Sequence, residues 1–476
     1  MIVINLLITM LIPLVLGMLI LALFIQKGSS YFRFWEKIAL AFFLGLGFLI
    51  ILMFLLAVTK IPLTFLNIFI TITILSLVIC LYLIKKRCFC IEIDEIRNAL
   101  KISPKLDPLE ILLACLITLK IVFVYFIALV KPVVDVDAFQ YYSLVARGIY
   151  ITKTFLTPYL QQFIADKPLL PYLAQGWALI GLHTVNDALM KVLFPTLFLC
   201  LIVIFYAVVK RSSSRKMALL FTFLLSTLPF LVYHATTAYA DLSITIYYAV
   251  ATIYLFLFMK SYSLGQKQES YSHLLLAILF LGISVWVKRA GIFLAGINIF
   301  VLIGYLLTYR KTIKKDLLRN LLILGGVFVL IIAPWIIYGQ AETFVGTIKG
   351  IFGKTEISTL PTVAEGPLLD KTDIVLSVLL RKLFLYADWH LLWLLFLVTL
   401  IFFYKKSFSR PLVFLLAIIL LDISALFFQF RFGGSFIWIL DGTLLDRLAM
   451  NYVPVVLFFC SEAIIPFITS KTPENR

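Results

Sequence analysis

Residues 110–142 read EILLACLITLKIVFVYFIALVKPVVDVDAFQYY, and the break inside this stretch decides the fold. Between Ile111 and Val130 only Lys120 carries a charge, so the run is long enough to cross a ~30 Å hydrocarbon core as a helix. The apolar residues are continuous and do not alternate, which selects a helix over a barrel strand. Within a few residues the chain then turns polar, with Asp135 and Asp137 in a loop that must meet water.

The same pattern recurs outward in both directions. Runs at 4–25, 38–59, 63–84, 110–130, 188–209, 217–234, 242–259, 273–287, 291–308, 320–338, 388–404, 411–430 and 448–468 give about thirteen spans. Hydrophobic residues make up 63% of the chain and charged residues 14%, with a mean hydropathy of +1.09. Soluble domains are about half apolar and about a quarter charged. The expected fold is therefore an all-α polytopic membrane protein.

The net charge of +17 does not indicate nucleic acid. Lys and Arg gather in short loops, at Lys27/Arg33/Lys37, Lys85/Lys86/Arg87, Lys210/Arg211/Arg215/Lys216, Arg310/Lys311/Lys314/Lys315 and Lys405/Lys406/Arg410. These loops alternate correctly if all are cytoplasmic. The N-terminus is then outside and the C-terminus inside, in a cell (inner) membrane. The first span has no basic segment before it and reads as retained, not as a signal peptide. The other face receives two long segments, 131–187 and 339–387, and the carboxylates Asp135, Asp137, Asp166, Asp187, Asp241, Asp441 and Asp446. Topology does not require acids there, so their gathering points to an outward-facing site.

Six scattered cysteines, of which only Cys88 and Cys90 are close, support neither a disulfide framework nor a zinc set. His183, His234, His273 and His390 show no metal-ligand spacing, and no nucleotide-binding glycine loop occurs. In the first large loop, 138–150 and 168–182 are too short to span and read as interfacial helices joined by a turn at Thr157-Pro158. Asp166 would cap the second, with Pro168 in its first turn and Tyr172 and Trp177 at headgroup level.

Five short elements can carry chemistry. Asp135 and Asp137, followed by Tyr141 and Tyr142, can supply a general base or hold a cation, and can equally be helix caps. Lys167, beside Asp166 at a helix start, can contact phosphate or snorkel. Tyr239 and Asp241 follow Thr236-Thr237, with Asp241 also a potential cap. Lys288-Arg289 form a tight connection on the face that disfavours cations, which suggests an anion site. Asp446-Arg447 open the last span. Lys120 and Asp422 are charges inside spans, where a partner or a function is expected.

The order of these elements resembles the GT-C superfamily of integral membrane glycosyltransferases, in the prokaryotic branch of protein O-mannosyltransferases and aminoarabinose transferases. The matching positions are Asp137 with Tyr141-Tyr142 and Ala146-Arg147, then Lys167-Pro168-Leu169, Thr237 to Asp241, Lys288 to Gly291, and Arg447 with Pro454. Leu169 departs from the pattern where a second proline is common. The resemblance covers roughly 110–470 as a catalytic unit, including both long loops, and leaves 1–109 as additional N-terminal helices and a cytoplasmic loop.

It implies a hexosyl or pentosyl transfer from a polyprenyl-phosphate donor to a glycan, lipid or protein acceptor outside the cytoplasm. Asp137 is then the leading base with Asp135 as runner-up. Lys167, Lys288, Arg289 and Arg447 become donor-phosphate ligands, and Tyr141, Tyr142, Asp166, Tyr239 and Asp241 substrate contacts. A divalent cation is permitted but not required. The competing classes are a transporter and a lipid-linked glycan flippase or polymerase.

Overall fold

The computed structural model describes residues 1–25, 31–86, 107–164, 167–309, 315–339, 368–433, 435–440, 442 and 444–469. Cys88, Cys90, Asp166, Asp441 and most of the 339–387 loop lie outside the described residues. All regular structure among those described is helical.

Eleven helices are long and apolar enough to cross a membrane, or twelve if one bent pair counts as a span. In chain order they are α1 (Ile2–Ala22), α2 (Phe34–Val58), α3 (Phe65–Lys86), α4 (Pro108–Val130), α5 (Asp187–Ser212), the bent α6 (Arg215–Thr227 with Pro229–Ala235), α7 (Ala240–Ser263), α8 (Lys267–Val285), α9 (Ala290–Thr308), α10 (Leu317–Tyr338), α11 (Leu412–Phe432) and α12 (Leu445–Phe467).

Two expected spans differ. The 217–234 run bends by 69° at Pro229, which lacks an amide hydrogen and pushes Leu228 out of helical geometry (φ −58°, ψ 116°). The 388–404 run shrinks to Leu392–Phe402, 11 residues. His390 interrupts it with a positive φ of 49°.

α7 is the centre of the bundle. Its membrane-spanning window is entirely buried, enclosed by α5, α8, α9 and α12. The N-terminal helices are built into the same core. α1 and α2 cross in backbone contact. A Cβ on Gly17 would sit 1.7 Å from the Ala41 carbonyl oxygen, and one on Gly45 1.6 Å from that of Pro13. Only glycine permits such an approach.

The helices of the first loop run Ala138–Ser143 (one wide π-turn), Leu144–Thr152, Pro158–Ile164 and Leu170–Leu182. The last of these corrects an expectation. Every residue in it is buried, and Trp177 donates its indole N–H to the Thr9 carbonyl at 3.1 Å. It is covered by α1, α2 and the Leu144–Thr152 helix. Tyr172 and Trp177 therefore face protein and not headgroups. Pro168 lies just outside the helix, and Pro171 occupies its first turn.

At the far end of α7 a second polar layer ties the helix ends together. Glu36, fully buried, receives Arg211 at 2.5 Å and the Tyr254 hydroxyl. His273 lies 2.8 Å from Arg211, and Lys260 pairs with Glu462 at 2.6 Å. Arg215 and Lys216 reach Glu110 and Asp107, at 2.6 and 2.5 Å. Several cations of the basic loops thus also act as staples between spans.

Candidate functional site

The site assembles where α7, α8 and α12 end beside the first loop. Asp241 stands in the first turn of α7 and is buried. Lys288, just past the end of α8, places Nζ 2.5 Å from Asp241 Oδ1. Arg447, in the first turn of α12, donates to Asp241 Oδ2 through Nε at 3.2 Å and Nη2 at 2.9 Å. Its Nη1 meets Asp137 Oδ2 at 2.7 Å. One guanidinium therefore bridges two carboxylates from distant segments.

The two carboxylates differ in kind. The Asp241 side chain is 1% exposed and that of Asp137 is 34% exposed. Asp241 is shielded from solvent. It positions Lys288 and Arg447, and the charges offset one another in a low-dielectric setting where they interact strongly. Asp137 can be reached.

The backbone that carries Asp137 is fixed by a short relay. Ser143 Oγ donates to Gln175 Oε1 at 3.2 Å, and Gln175 Nε2 donates to the Ala238 carbonyl at 3.2 Å. Arg147 pairs with Asp187 at the head of α5. These contacts hold the first loop against the residues that lead into α7.

Aromatic rings wall the cluster. The Arg447 guanidinium sits 5.1 Å over Tyr239. Tyr142 lies between Tyr172 and Tyr239, with ring centroids 5.1 and 6.5 Å away. Burial raises the Tyr142 phenol well above its ordinary range, and the charges of Tyr172, Asp241 and Asp137 add to this. Tyr239 is raised too, by burial and then by Asp137 and Asp135. Both phenols stay protonated and available as donors. Burial lowers the Lys288 ammonium from its usual value, against the opposing pull of Asp241, and Arg447 adds to the lowering.

The remaining sequence candidates stand around this core. Asp135 belongs to a neighbouring group: Lys131 holds it at 2.9 Å, and the Tyr233 hydroxyl donates to it at 2.7 Å. Lys167 rests 4.5 Å over the Tyr141 ring. Tyr141 also lines a cavity of about 330 Å³ with Arg147 and Phe163. Arg289 begins α9 beside Lys288. Lys120 and Asp422 do not pair: Lys120 lies over Phe123 at 5.4 Å, and Asp422 accepts from the Tyr248 hydroxyl at 2.5 Å.

Two residues join the site without having been singled out. Lys382, on the helix Leu368–Phe384, holds Asp446 at 2.6 Å, next to Arg447 in the chain. His234 is buried beside Tyr239, ring centroids 5.5 Å apart, and it lies within the field of Asp241, Arg447, Lys288 and Asp135. Among the described residues neither of its ring nitrogens has a hydrogen-bond partner. Its signal in the sequence is its place just upstream of Thr237 and Asp241.

A divalent cation does not fit Asp135 and Asp137 as they stand. Each is already engaged by a different basic residue. Among the described residues, no group of three or more His, Cys, Asp or Glu could hold a metal ion.

Beside Tyr233, a groove of about 550 Å³ opens between α4 and the bend of α6. Its walls include Phe123, Ile127, Pro229 and Val232, with Lys120 at one side. Compared with protein-family models, curated proteins and solved structures, the chain matches none of them.

Proposed function

We propose that this protein is an integral membrane glycosyltransferase that moves a sugar from a polyprenyl-phosphate donor to an acceptor hydroxyl on the extracytoplasmic face. The observation that carries this reading is the double ion pair of Arg447, which joins a reachable carboxylate, Asp137, to a buried anchor, Asp241, beside Lys288. A phosphate-linked donor calls for cations near its phosphate and a base near the acceptor. Both are on hand within one cluster at the helix ends.

The chemistry follows from those positions. Asp137 takes the proton of the acceptor hydroxyl, whose oxygen forms a bond to the anomeric carbon. The bond from that carbon to the carrier phosphate breaks, and the phosphate leaves with the electron pair. Lys288 and Arg447 offset the charge that grows on it, the part of such a reaction where fixed cations help most. The arriving phosphate competes for Arg447 and so releases Asp137 to act as base. Donor binding and base activation are thereby coupled. The groove beside Tyr233 suits an isoprenoid tail that stays in the bilayer while its phosphate meets the cluster.

The test uses purified protein in nanodiscs with a labelled sugar on either carrier. Transfer is expected from the polyprenyl phosphate alone. Lys288→Gln combined with Arg289→Gln should weaken donor use more than acceptor use. Transfer from a nucleotide sugar without lipid carrier overturns the reading.

A further inference from the structure

Away from the helix ends, the bundle interior holds a second group of polar side chains. Asp422 is the middle residue of α11 and is buried. Tyr248 and Thr252 come from α7, Asn298 from α9 and Tyr452 from α12, and all are buried. Asp422 Oδ2 accepts from the Tyr248 hydroxyl at 2.5 Å. That hydroxyl also has Thr252 and Asn298 as neighbours, and the Tyr452 phenol feels the charge of Asp422.

Thr252 and Asn298 turn hydrogens toward the Tyr248 hydroxyl, and among the described residues Asp422 Oδ1, Asn298 Oδ1 and the Tyr452 hydroxyl have no hydrogen-bond partner. Asn298 spends its amide nitrogen on the Leu294 carbonyl at 3.1 Å, so an acceptor is left for the group. Among the described residues no cation pairs with Asp422; Lys120 is committed elsewhere. Buried polar atoms are costly when unmet, and a carboxylate within a span implies a partner or a function.

We propose that these oxygens form an intramembrane site for a monovalent cation, with sodium as the probe. The donors are all oxygen, which suits a hard cation. A single carboxylate balances a single charge, and a divalent ion would leave net charge buried. Protonation of Asp422 adds one hydrogen to a group that already holds the Tyr248, Thr252 and Tyr452 hydroxyls, whereas a cation meets the carboxylate charge and several oxygen lone pairs together. The proposed site is centred on Asp422, midway along α11. It stands independently of the transferase reading.

The experiment compares melting temperatures of the purified protein in sodium chloride and choline chloride at one ionic strength, with retention of radiolabelled sodium measured in parallel. Sodium should raise the melting temperature saturably and be retained by the protein. Asp422→Asn, close in shape, should lose both effects. Asn298→Ala and Thr252→Val should move the sodium midpoint upward, which keeps the test decisive if Asp422→Asn does not accumulate. Equal melting in both salts with no sodium retained by the native protein overturns the proposal and leaves Asp422 a neutral acid.

Discussion

Arg447 and Asp241 are 206 residues apart in the chain, yet the guanidinium grips one buried carboxylate oxygen through two nitrogens, at 3.2 and 2.9 Å. Lys288 takes the other oxygen. Asp241→Ala leaves two cations beside each other without their shared anion. Breaking a buried pair in this way costs about 3–5 kcal/mol. The expected result is a large fall in melting temperature in detergent, with the protein recovered in low yield. A melting temperature near that of the native protein would show that Asp241 does not anchor the cluster.

Asp137 should behave in the opposite manner. Its pair with Arg447 is partly open to solvent, and such pairs contribute about 0–1 kcal/mol. Asp137→Asn should therefore melt close to the native protein, while sugar transfer falls by ~10²–10⁴ as expected for a lost base. Asp135→Asn should retain most activity. If Asp135→Asn abolishes transfer and Asp137→Asn does not, the two roles are exchanged.

Asp135 should reveal itself in acid. Burial raises its carboxyl, but the Tyr233 hydroxyl and the Lys131 ammonium outweigh that and hold it below the ordinary carboxylate value. The folded pKa is thus depressed relative to the unfolded one. The stability it confers is present above the unfolded value of ~3.9 and disappears as pH falls through the folded value. Melting temperatures recorded down through that window should fall less steeply for Asp135→Asn than for the native protein. Parallel curves would exclude a contribution from this group.

Orientation is open to direct chemistry. The basic loop 85–105 predicts that Cys88 and Cys90 are cytoplasmic. A membrane-impermeant thiol reagent on intact cells should leave them unlabelled. Tyr159 in the first loop is exposed, and a cysteine placed there as Tyr159→Cys should be labelled. The reverse pattern would put the ionic cluster on the cytoplasmic face.

The spans were legible in the sequence because twenty apolar residues admit few alternatives. Lys288 draws attention in the sequence as a cation in a tight connection, but its partner Asp241, 47 residues away, is visible only in the fold. The burial of residues 170–182 was not legible. That segment has the length and composition of an interfacial helix, and its burial depends on α1 and α2, more than a hundred residues upstream, as well as on the nearby Leu144–Thr152 helix. Lys382 was hidden for a related reason. The segment that carries it, DKTDIVLSVLLRK, lies in the second long loop, and nothing local indicates that one lysine turns inward to Asp446. His234 was set aside because a lone histidine lacks ligand spacing, whereas its interest lies in its neighbours across space.

The enclosure of α7 bears on how the protein is made. A helix with no lipid-facing side is threaded into the bilayer before most of its neighbours exist. Thr245 can shelter its hydroxyl on the Asp241 carbonyl within the same helix, at 2.8 Å. The Asp241 carboxylate has no such local refuge. Its first counter-charge is 47 residues away and its second 206. At typical synthesis rates of about 5–20 residues per second, the second is added roughly 10–40 s after Asp241 itself. Throughout that interval the nascent chain carries an incompletely neutralised carboxylate at the head of its central helix. Synthesis of the first turn of α12 is therefore the event that supplies the second counter-charge.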